Sequence, residues 1–145
     1  MEVYSIGFTQ KTAEQFFTIL KRAGIRRLLD VRLNNVSQLA GFTKRDDLRY
    51  FVHQICAAEY LHEPLLAPTQ DILDEYKKNK GSWTDYEKSF RALMRERKID
   101  EAIDRSLFSI PTVLLCSEPT AEHCHRRLVA EYLAGKWGDV NIVHL

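Results

Sequence analysis

Residues 114–133 read LLCSEPTAEHCHRRLVAEYL, and this stretch decides the fold. The apolar run 111–115 indicates a buried strand, which gives way to Cys116 and Glu118. A helix-start pattern follows, and residues 120–135 are predicted to be helical. Cys124 and His125 lie in this predicted helix. Reactive side chains therefore meet where a strand passes into a helix, which is where open α/β sheets bind their ligands.

The same alternation extends over the rest of the chain. Strands are predicted at 3–6, 25–31, 59–63, 111–116 and 141–145. Helices are predicted at 12–23, 45–58, 71–78, 83–106 and 120–135, with loops at 34–44 and 64–69. Thr12 and Gln15 fit a capping box. This order predicts a single α/β domain over residues 1–145. We expect a three-layer sandwich with a mostly parallel sheet of four to five strands, and residues 111–116 at its centre.

Composition limits the classes of protein. The 145 residues are the size of one domain, and 45% hydrophobic content is enough for a packed core. A net charge of +1 gives no general attraction to nucleic acid or membrane. No apolar segment approaches the roughly 20 residues of a membrane span, and no signal peptide is visible. The odd count of three cysteines, Cys56, Cys116 and Cys124, predicts free thiols and a cytoplasmic protein.

Three segments carry a resemblance to a known family. They read YSIGFTQKTAEQFFTILKRAGIRRLLDVR from residue 4, SQLAGFTKRDDLRYF from residue 37 and LLCSEPTAEHCHRR from residue 114. The chain resembles the domain-of-unknown-function family 488, whose hallmark motifs are Asp-Val-Arg and Cys-x-Glu followed by Cys-His-Arg. The resemblance implies a compact α/β domain with these motifs clustered. It implies no reaction, because none is established for the family.

The sequence departs from the family pattern in two places. Thr9 and Lys11 stand where many members have Ser and Arg. Leu33, Asn34 and Asn35 follow Asp-Val-Arg, where the family often has Pro. We expect both segments to line the site, so the ligand could differ within the family.

Asp30 and Arg32 end a predicted strand and lie on the same side of it, because alternate residues of a strand share a face. They could form a purely structural ion pair. They could instead join Glu118 and Arg126 in an active site, since charged groups at the carboxyl ends of adjacent strands often do so. We therefore predict that both motifs surround one cavity at this edge of the sheet.

His125, Glu118, Cys124 and Asp30 are the candidate catalytic residues. His125 could move a proton near neutral pH, or it could be a core histidine bonded to a backbone carbonyl. Glu118 could orient His125, act as a base or only cap the helix. Cys124 could be a nucleophile whose thiolate is favoured at the start of a helix, or a buried filler.

Arg32, Arg126, Cys116 and Lys44 are the candidate substrate-binding residues. Either Arg126 or Arg127 could clamp an anion, with the other in solvent. Lys44 could add positive charge above the site. Cys116 could form the wall of the pocket. We expect an anion at the N-terminus of the helix predicted from Thr120.

No metal ion is predicted. Cys116, Cys124 and His125 are potential ligands for zinc or iron, but they do not form a CxxC pair. Adjacent residues of a helix also diverge by about 100°, which would keep Cys124 and His125 apart. A reversible Cys116–Cys124 disulfide stays open, because a strand-to-helix turn can bring the two Cα atoms within about 7 Å.

The sequence lacks GxGxxG, Walker A and GxSxG motifs, and Glu122 stands where a CX5R phosphatase loop needs arginine. We therefore predict a small cytoplasmic enzyme that hydrolyses or transfers a group on an anionic substrate. Its substrate would be a nucleotide, a nucleic-acid fragment or a phosphorylated metabolite, with no membrane partner. A non-catalytic nucleotide or nucleic-acid binding module is the alternative, and a structural protein whose charged cluster only stabilises the fold is a third class.

Overall fold

A computed structural model describes residues 1–36 and 41–145. The strands are β1 Glu2–Gly7, β2 Arg27–Asp30, β3 Glu59–His62, β4 Thr112–Cys116 and β5 Asn141–His144. The helices are α1 Ala13–Arg22, α2 Arg45–Cys56, α3 Gln70–Lys77, α4 Trp83–Arg97, α5 Ile99–Ala102 and α6 His125–Trp137. The predicted α/β architecture is confirmed.

All five strands pair in parallel, in the order β3-β2-β4-β1-β5. The strand β4 is central, as predicted. The chain leaves β2 through α2 towards β3, but it leaves β4 through α6 towards β5. Neighbouring strands whose connections run in opposite directions leave a crevice at their carboxyl ends, and ligands of open α/β proteins bind there.

The sheet divides the core into two layers, because successive residues of each strand face opposite sides. Leu114 packs with the core residues of α4 and α6, whereas Val113 packs with those of α1 and α2. Buried apolar side chains fill both layers, which explains a three-layer sandwich.

Helix α1 begins as predicted. The Thr12 side chain accepts a hydrogen bond from the Gln15 amide at 3.1 Å, and the Gln15 side chain accepts one from the Thr12 amide at 2.9 Å. This reciprocal pair is the capping box, which satisfies two amides that the first turn leaves free.

The prediction of one helix over 83–106 is wrong. Helix α4 ends at Arg97, and its C-cap Lys98 adopts left-handed φ 51°. Helix α5 and a short 3₁₀ turn, Arg105–Phe108, follow. The break turns the chain so that Ile99 and Phe108 both enter the core. Left-handed backbone usually falls at glycine, and a lysine gives no such signal.

The last long helix also begins later than predicted. Residues 117–123 form turns and bends, and α6 starts at His125 with Cys124 as its extended N-cap, at φ −138° and ψ 140°. Cys124 is therefore outside the helical turn in which it was predicted. The predicted loop 34–44 ends in a short 3₁₀ helix, Gly41–Thr43, and its part at 37–40 lies outside the described residues.

Among the residues that the structure describes, no helix combines the length and the apolar character that crossing a membrane requires.

Candidate functional site

A cavity of about 210 Å³ lies at the carboxyl ends of β2 and β4, where the strand connections diverge. Five residues predicted for the site line it, and they are Arg32, Cys116, Glu118, Cys124 and His125. Ten further residues line it: Leu33, Asn34, Pro68, Leu73, Tyr76, Lys77, Trp83, Tyr86, Ser117 and His123. The structure therefore brings both sequence motifs to one cavity.

Arg32 is held in the cavity wall by Asp30. Its Nε and Nη2 each donate to one oxygen of the Asp30 carboxylate at 2.8 Å, and Nη2 also donates to the Thr43 carbonyl at 2.8 Å. The Arg32 guanidinium lies 5.4 Å from the centre of the Phe8 ring. Paired hydrogen bonds between a planar guanidinium and a carboxylate fix orientation as well as charge.

Asp30 is itself fully buried and lies behind Arg32. It also accepts hydrogen bonds from the Tyr60 hydroxyl at 2.5 Å and from the Arg32 amide at 3.1 Å. Burial, followed by the hydrogen bond to the Asp30 carboxylate, raises the pKa of Tyr60. This network holds Arg32 in place, but Asp30 is not among the residues that line the cavity, and its catalytic role stays a prediction.

One group of the Asp30–Arg32 pair lacks a partner. Arg32 is 4% exposed, and among the described residues its Nη1 is the buried side-chain nitrogen that makes no hydrogen bond. An unsatisfied buried donor costs roughly 1–3 kcal/mol. A ligand that enters the cavity could supply the missing acceptor.

His125 is fixed by a backbone carbonyl. Its Nε2 lies 2.7 Å from the Val31 oxygen, and the Phe90 ring contacts the imidazole edge to face at 5.6 Å between centroids. A carbonyl only accepts, so Nε2 carries the proton. Burial lowers the pKa of His125 to about 4, against the opposing effect of the Val31 hydrogen bond. His125 is therefore neutral near pH 7, and its Nδ1 carries a lone pair.

Cys116 and Cys124 are joined as a disulfide, with their Cα atoms 7.4 Å apart. Both are buried, at 1% and 2% exposure. The expectation of free thiols is therefore wrong for this pair and holds for Cys56. In this state Cys124 has no thiol, and its role as a nucleophile stays a prediction for the reduced protein.

The Cys116, Cys124 and His125 ligand atoms all lie within 4.8 Å of one another. The sequence argument that helical geometry would separate Cys124 from His125 fails here. Cys124 has extended backbone, so the angle of about 100° between successive helical residues does not apply to it.

Arg126 is buried at 1% exposure and lies outside the residues that line the cavity. Its Nη1 donates to the Glu118 carbonyl at 2.8 Å and contacts Cys116 Sγ at 3.6 Å, and its Nε donates to the Ser5 hydroxyl at 3.2 Å. Burial lowers the pKa of Arg126 to about 10. Arg126 thus ties α6 to β1 and to the loop after β4, and its predicted role in binding the anion stays a prediction.

Gly7 explains how the loop after β4 approaches β1 so closely. A Cβ atom at this position would lie 1.6 Å from the Glu118 carbonyl oxygen and 2.9 Å from Arg126 Nη1. Glycine alone leaves room for the contact between Arg126 and Glu118.

Glu118 and Lys77 form an ion pair at the cavity mouth, with 3.0 Å between Lys77 Nζ and Glu118 Oε1. Both side chains are partly exposed, so the pair is easily exchanged for water or a ligand. Lys44, predicted to supply positive charge, is exposed and lies outside the lining residues. Lys77 is thus a lysine that lines the cavity, and the role predicted for Lys44 stays a prediction.

Aromatic rings form one wall of the cavity. Trp83 stacks on Tyr86 and on His123, in each case with 5.0 Å between ring centroids. Tyr76 contacts both Trp83 and Tyr86. On Trp83, the Arg127 guanidinium lies 5.9 Å from the ring centre. The packing of α3 against α4 brings Tyr76, Trp83 and Tyr86 together, so the wall has no local pattern in the sequence.

The two departures from the family pattern occupy different places. Thr9 and Lys11 contact the loop after β4, through the Ser117 and Pro119 carbonyls respectively. They therefore stabilise the loop after β4, which forms part of the cavity wall. Leu33 and Asn34 line the cavity itself.

Comparison with known proteins identifies the family of this chain. Neither the curated proteins nor the solved structures gave a match to this chain. The family model described as "Domain of unknown function DUF488" matches residues 12–133, which include both the Asp-Val-Arg and the Cys-His-Arg motifs. This match covers most of the sequence, and the chain therefore belongs to the DUF488 family.

Proposed function

We propose that the protein is a small enzyme that hydrolyses or transfers a group on an anionic substrate, and that this substrate is a nucleotide. The observation that carries the proposal is Arg32, whose buried Nη1 makes no hydrogen bond among the described residues although its other donors are fixed in the wall of the cavity. A phosphate oxygen is a strong acceptor for such a nitrogen.

Positive charge at the mouth supports an anionic ligand. Asp30 neutralises Arg32 and leaves its buried Nη1 without an acceptor among the described residues, so Arg32 could donate a directed hydrogen bond to a ligand that displaces the atoms covering Nη1. Lys77 supplies a mobile charge, because its exposed pair with Glu118 is weak. A phosphate that replaces Glu118 at Lys77 would free the carboxylate to accept a proton.

The aromatic wall favours a ligand with a flat ring. Trp83, Tyr86 and His123 are stacked with their planes within about 22° of parallel. Base–aromatic stacking contributes roughly 1–3 kcal/mol per base. The cavity of about 210 Å³ is smaller than the roughly 300–1,000 Å³ of drug-sized sites, which favours a mononucleotide over a longer fragment.

His125 and Glu118 are the groups that could move protons. Neutral His125 presents Nδ1 as an acceptor while Val31 holds its other nitrogen. Glu118 lies at the mouth. A reaction that passes a proton from the attacking group to one of these residues is general base catalysis.

A non-catalytic nucleotide-binding module is the second candidate. It is favoured by the pKa of about 4 at His125, since a general base works best when its pKa lies near the operating pH. In this case the cavity would bind the nucleotide and leave it unchanged.

Fluorescence titration tests ligand binding. Trp83 lines the cavity, whereas Trp137 donates its indole N–H to the Asp100 carbonyl and lies outside the lining residues. Adenosine monophosphate should quench the tryptophan fluorescence of the Trp137→Phe variant, which retains Trp83. It should leave the fluorescence of the Trp83→Phe variant unchanged. Adenosine and inorganic phosphate should bind more weakly than the complete nucleotide. Equal responses of the two variants, or none in either, would refute a nucleotide in this cavity.

Turnover separates the two candidates. The wild-type protein and His125→Gln are incubated with a panel of mononucleotides, and products are separated by chromatography. If the protein is an enzyme, we expect products with the wild type. We expect the rate of product formation to fall roughly 10²-fold or more in His125→Gln, with nucleotide affinity retained. Tight binding with no product in either protein would identify the binding module.

A further inference from the structure

We propose that the reduced protein binds one zinc ion through Cys116 Sγ, Cys124 Sγ and His125 Nδ1, with the fourth coordination position open to the cavity. The ligand atoms of these three residues lie within 4.8 Å of one another, and all three residues line the cavity. Two cysteines and one histidine are a recognised set for a catalytic zinc site with an open position. The inference does not rest on the proposed function, because zinc uptake requires no substrate.

The geometry needs only small movements. Zinc–sulfur bonds of about 2.3 Å and a zinc–nitrogen bond of about 2.0 Å place tetrahedral ligands about 3.4–3.8 Å apart. The Cys116 and Cys124 Cα atoms, at 7.4 Å, lie beyond the roughly 4.4–6.8 Å of most disulfides. Side-chain rotation can therefore separate the two sulfurs around an ion while the backbone stays in place.

His125 already has the environment of a metal-binding histidine. Such histidines almost always donate their second ring N–H to a carboxylate, a carbonyl or water, which fixes the tautomer and the ring. Here Nε2 donates to the Val31 carbonyl at 2.7 Å, so Nδ1 is the nitrogen left to coordinate.

Arg126 supplies an independent reason to expect a thiolate. It is 1% exposed, and within the described part of the chain it forms no ion pair with a carboxylate. A buried cation without a counter-ion is costly. Its Nη1 contacts Cys116 Sγ at 3.6 Å, so a thiolate at Cys116 would give this charge its partner.

The redox step is balanced. A phosphine or dithiol reductant supplies two electrons, the Cys116–Cys124 bond breaks, and each sulfur takes up one proton. Zinc then displaces the two thiol protons and forms two metal–sulfur bonds. The oxidised protein lacks both thiolates and cannot form this site.

Zinc binding is measured on the full chain in both redox states. The protein is reduced with a phosphine under inert gas, transferred to metal-free buffer and titrated with zinc against a chromophoric chelator. Native mass spectrometry gives the stoichiometry. We expect one zinc ion per chain in the reduced protein and none in the oxidised protein. A reduced protein that retains no zinc, or an oxidised protein that binds as much, would overturn the proposal.

Variants assign the ligands. Cys116→Ser and Cys124→Ser should abolish stoichiometric zinc, and His125→Gln should weaken it at least tenfold. Cys56→Ser is the matched control, because Cys56 is the cysteine outside the disulfide, and it should bind zinc as the wild type does. Circular dichroism checks that each variant is folded. Wild-type affinity in Cys116→Ser would refute the site, and the comparison of the two redox states remains decisive if a variant does not fold.

Cobalt provides a direct signature. Cobalt(II) in the reduced wild type should give a thiolate-to-metal charge-transfer band and the intense visible bands of tetrahedral coordination. Both should be absent from the oxidised protein. A weak, octahedral spectrum in the reduced wild type would contradict coordination by two thiolates.

Discussion

Arg32 and Arg126 are both buried beside the loops that leave β2 and β4, but their surroundings differ. Arg32 is paired with the buried carboxylate of Asp30 and lines the cavity. Arg126 contacts a hydroxyl, a carbonyl and a sulfur, and lies outside the lining residues. An arginine that is paired with a carboxylate can donate a hydrogen bond from one nitrogen to a ligand while its charge stays compensated. An arginine whose described hydrogen-bond partners are all neutral instead stabilises a neighbouring thiol in its thiolate form.

Removing the carboxylate should produce the largest effect. Asp30→Ala leaves the Arg32 charge buried without a partner, and we expect the free energy of unfolding to fall by about 3–5 kcal/mol. Asp46→Ala is the control, since Asp46 forms an exposed pair with Arg45 and should leave stability unchanged. Urea denaturation measures both variants. Similar losses in the two would show that Asp30 does not balance Arg32.

The pH dependence of stability should be intermediate. His125 has a pKa of about 4 in the folded protein, below its ordinary value of 6.5. Between pH 6.5 and 4 the unfolded chain therefore binds more protons than the folded one, so stability is lost as the pH falls through this window. We expect His125 to contribute about 1–3 kcal/mol to this loss.

Histidine variants isolate that contribution. Urea denaturation at several pH values should show a flatter dependence for His125→Gln than for the wild type. His123→Gln removes an exposed histidine from the loop before α6 and is the control. If the free energy of unfolding of His125→Gln depends on pH as that of the wild type does, His125 is not the group responsible for this dependence.

The smallest effect should follow replacement of Arg126, which forms no ion pair with a carboxylate among the described residues. Arg126→Met loses the hydrogen bonds to Ser5 and to the Glu118 carbonyl, but it also removes the desolvation cost of a buried charge. We expect these effects to offset each other to within about 1 kcal/mol in the free energy of unfolding. A loss as large as that of Asp30→Ala would remove the distinction between the two arginines.

The central strand β4 could be predicted from the sequence because it is a short apolar run bounded by the turn residues Pro111 and Ser117. The convergence of Arg32 with Cys116 and His125 followed from parallel strands ending at one edge. The position of each residue just after its strand was enough for this conclusion, because a parallel topology brings the carboxyl ends of the strands together.

The start of α6 could not be predicted in the same way. The residues after Pro119 resemble a helix start. The disulfide between Cys124 and Cys116 and the contact of His125 with Val31 instead keep this segment at the end of β4, so α6 begins later. These are contacts between distant elements and leave no local pattern. Tyr76, Tyr86 and Lys77 were missed for the same reason, because they reach the cavity from α3 and α4.

Titration of adenosine monophosphate by calorimetry tests most directly whether Arg32, and not Arg126, serves the ligand. Arg32→Lys keeps a charge beside Asp30 but loses the planar group that carries Nη1. We predict that this variant binds about 10- to 100-fold more weakly than the wild type, and that Arg126→Met binds within about twofold of it. Wild-type affinity in Arg32→Lys, or an equal loss in both variants, would contradict the account.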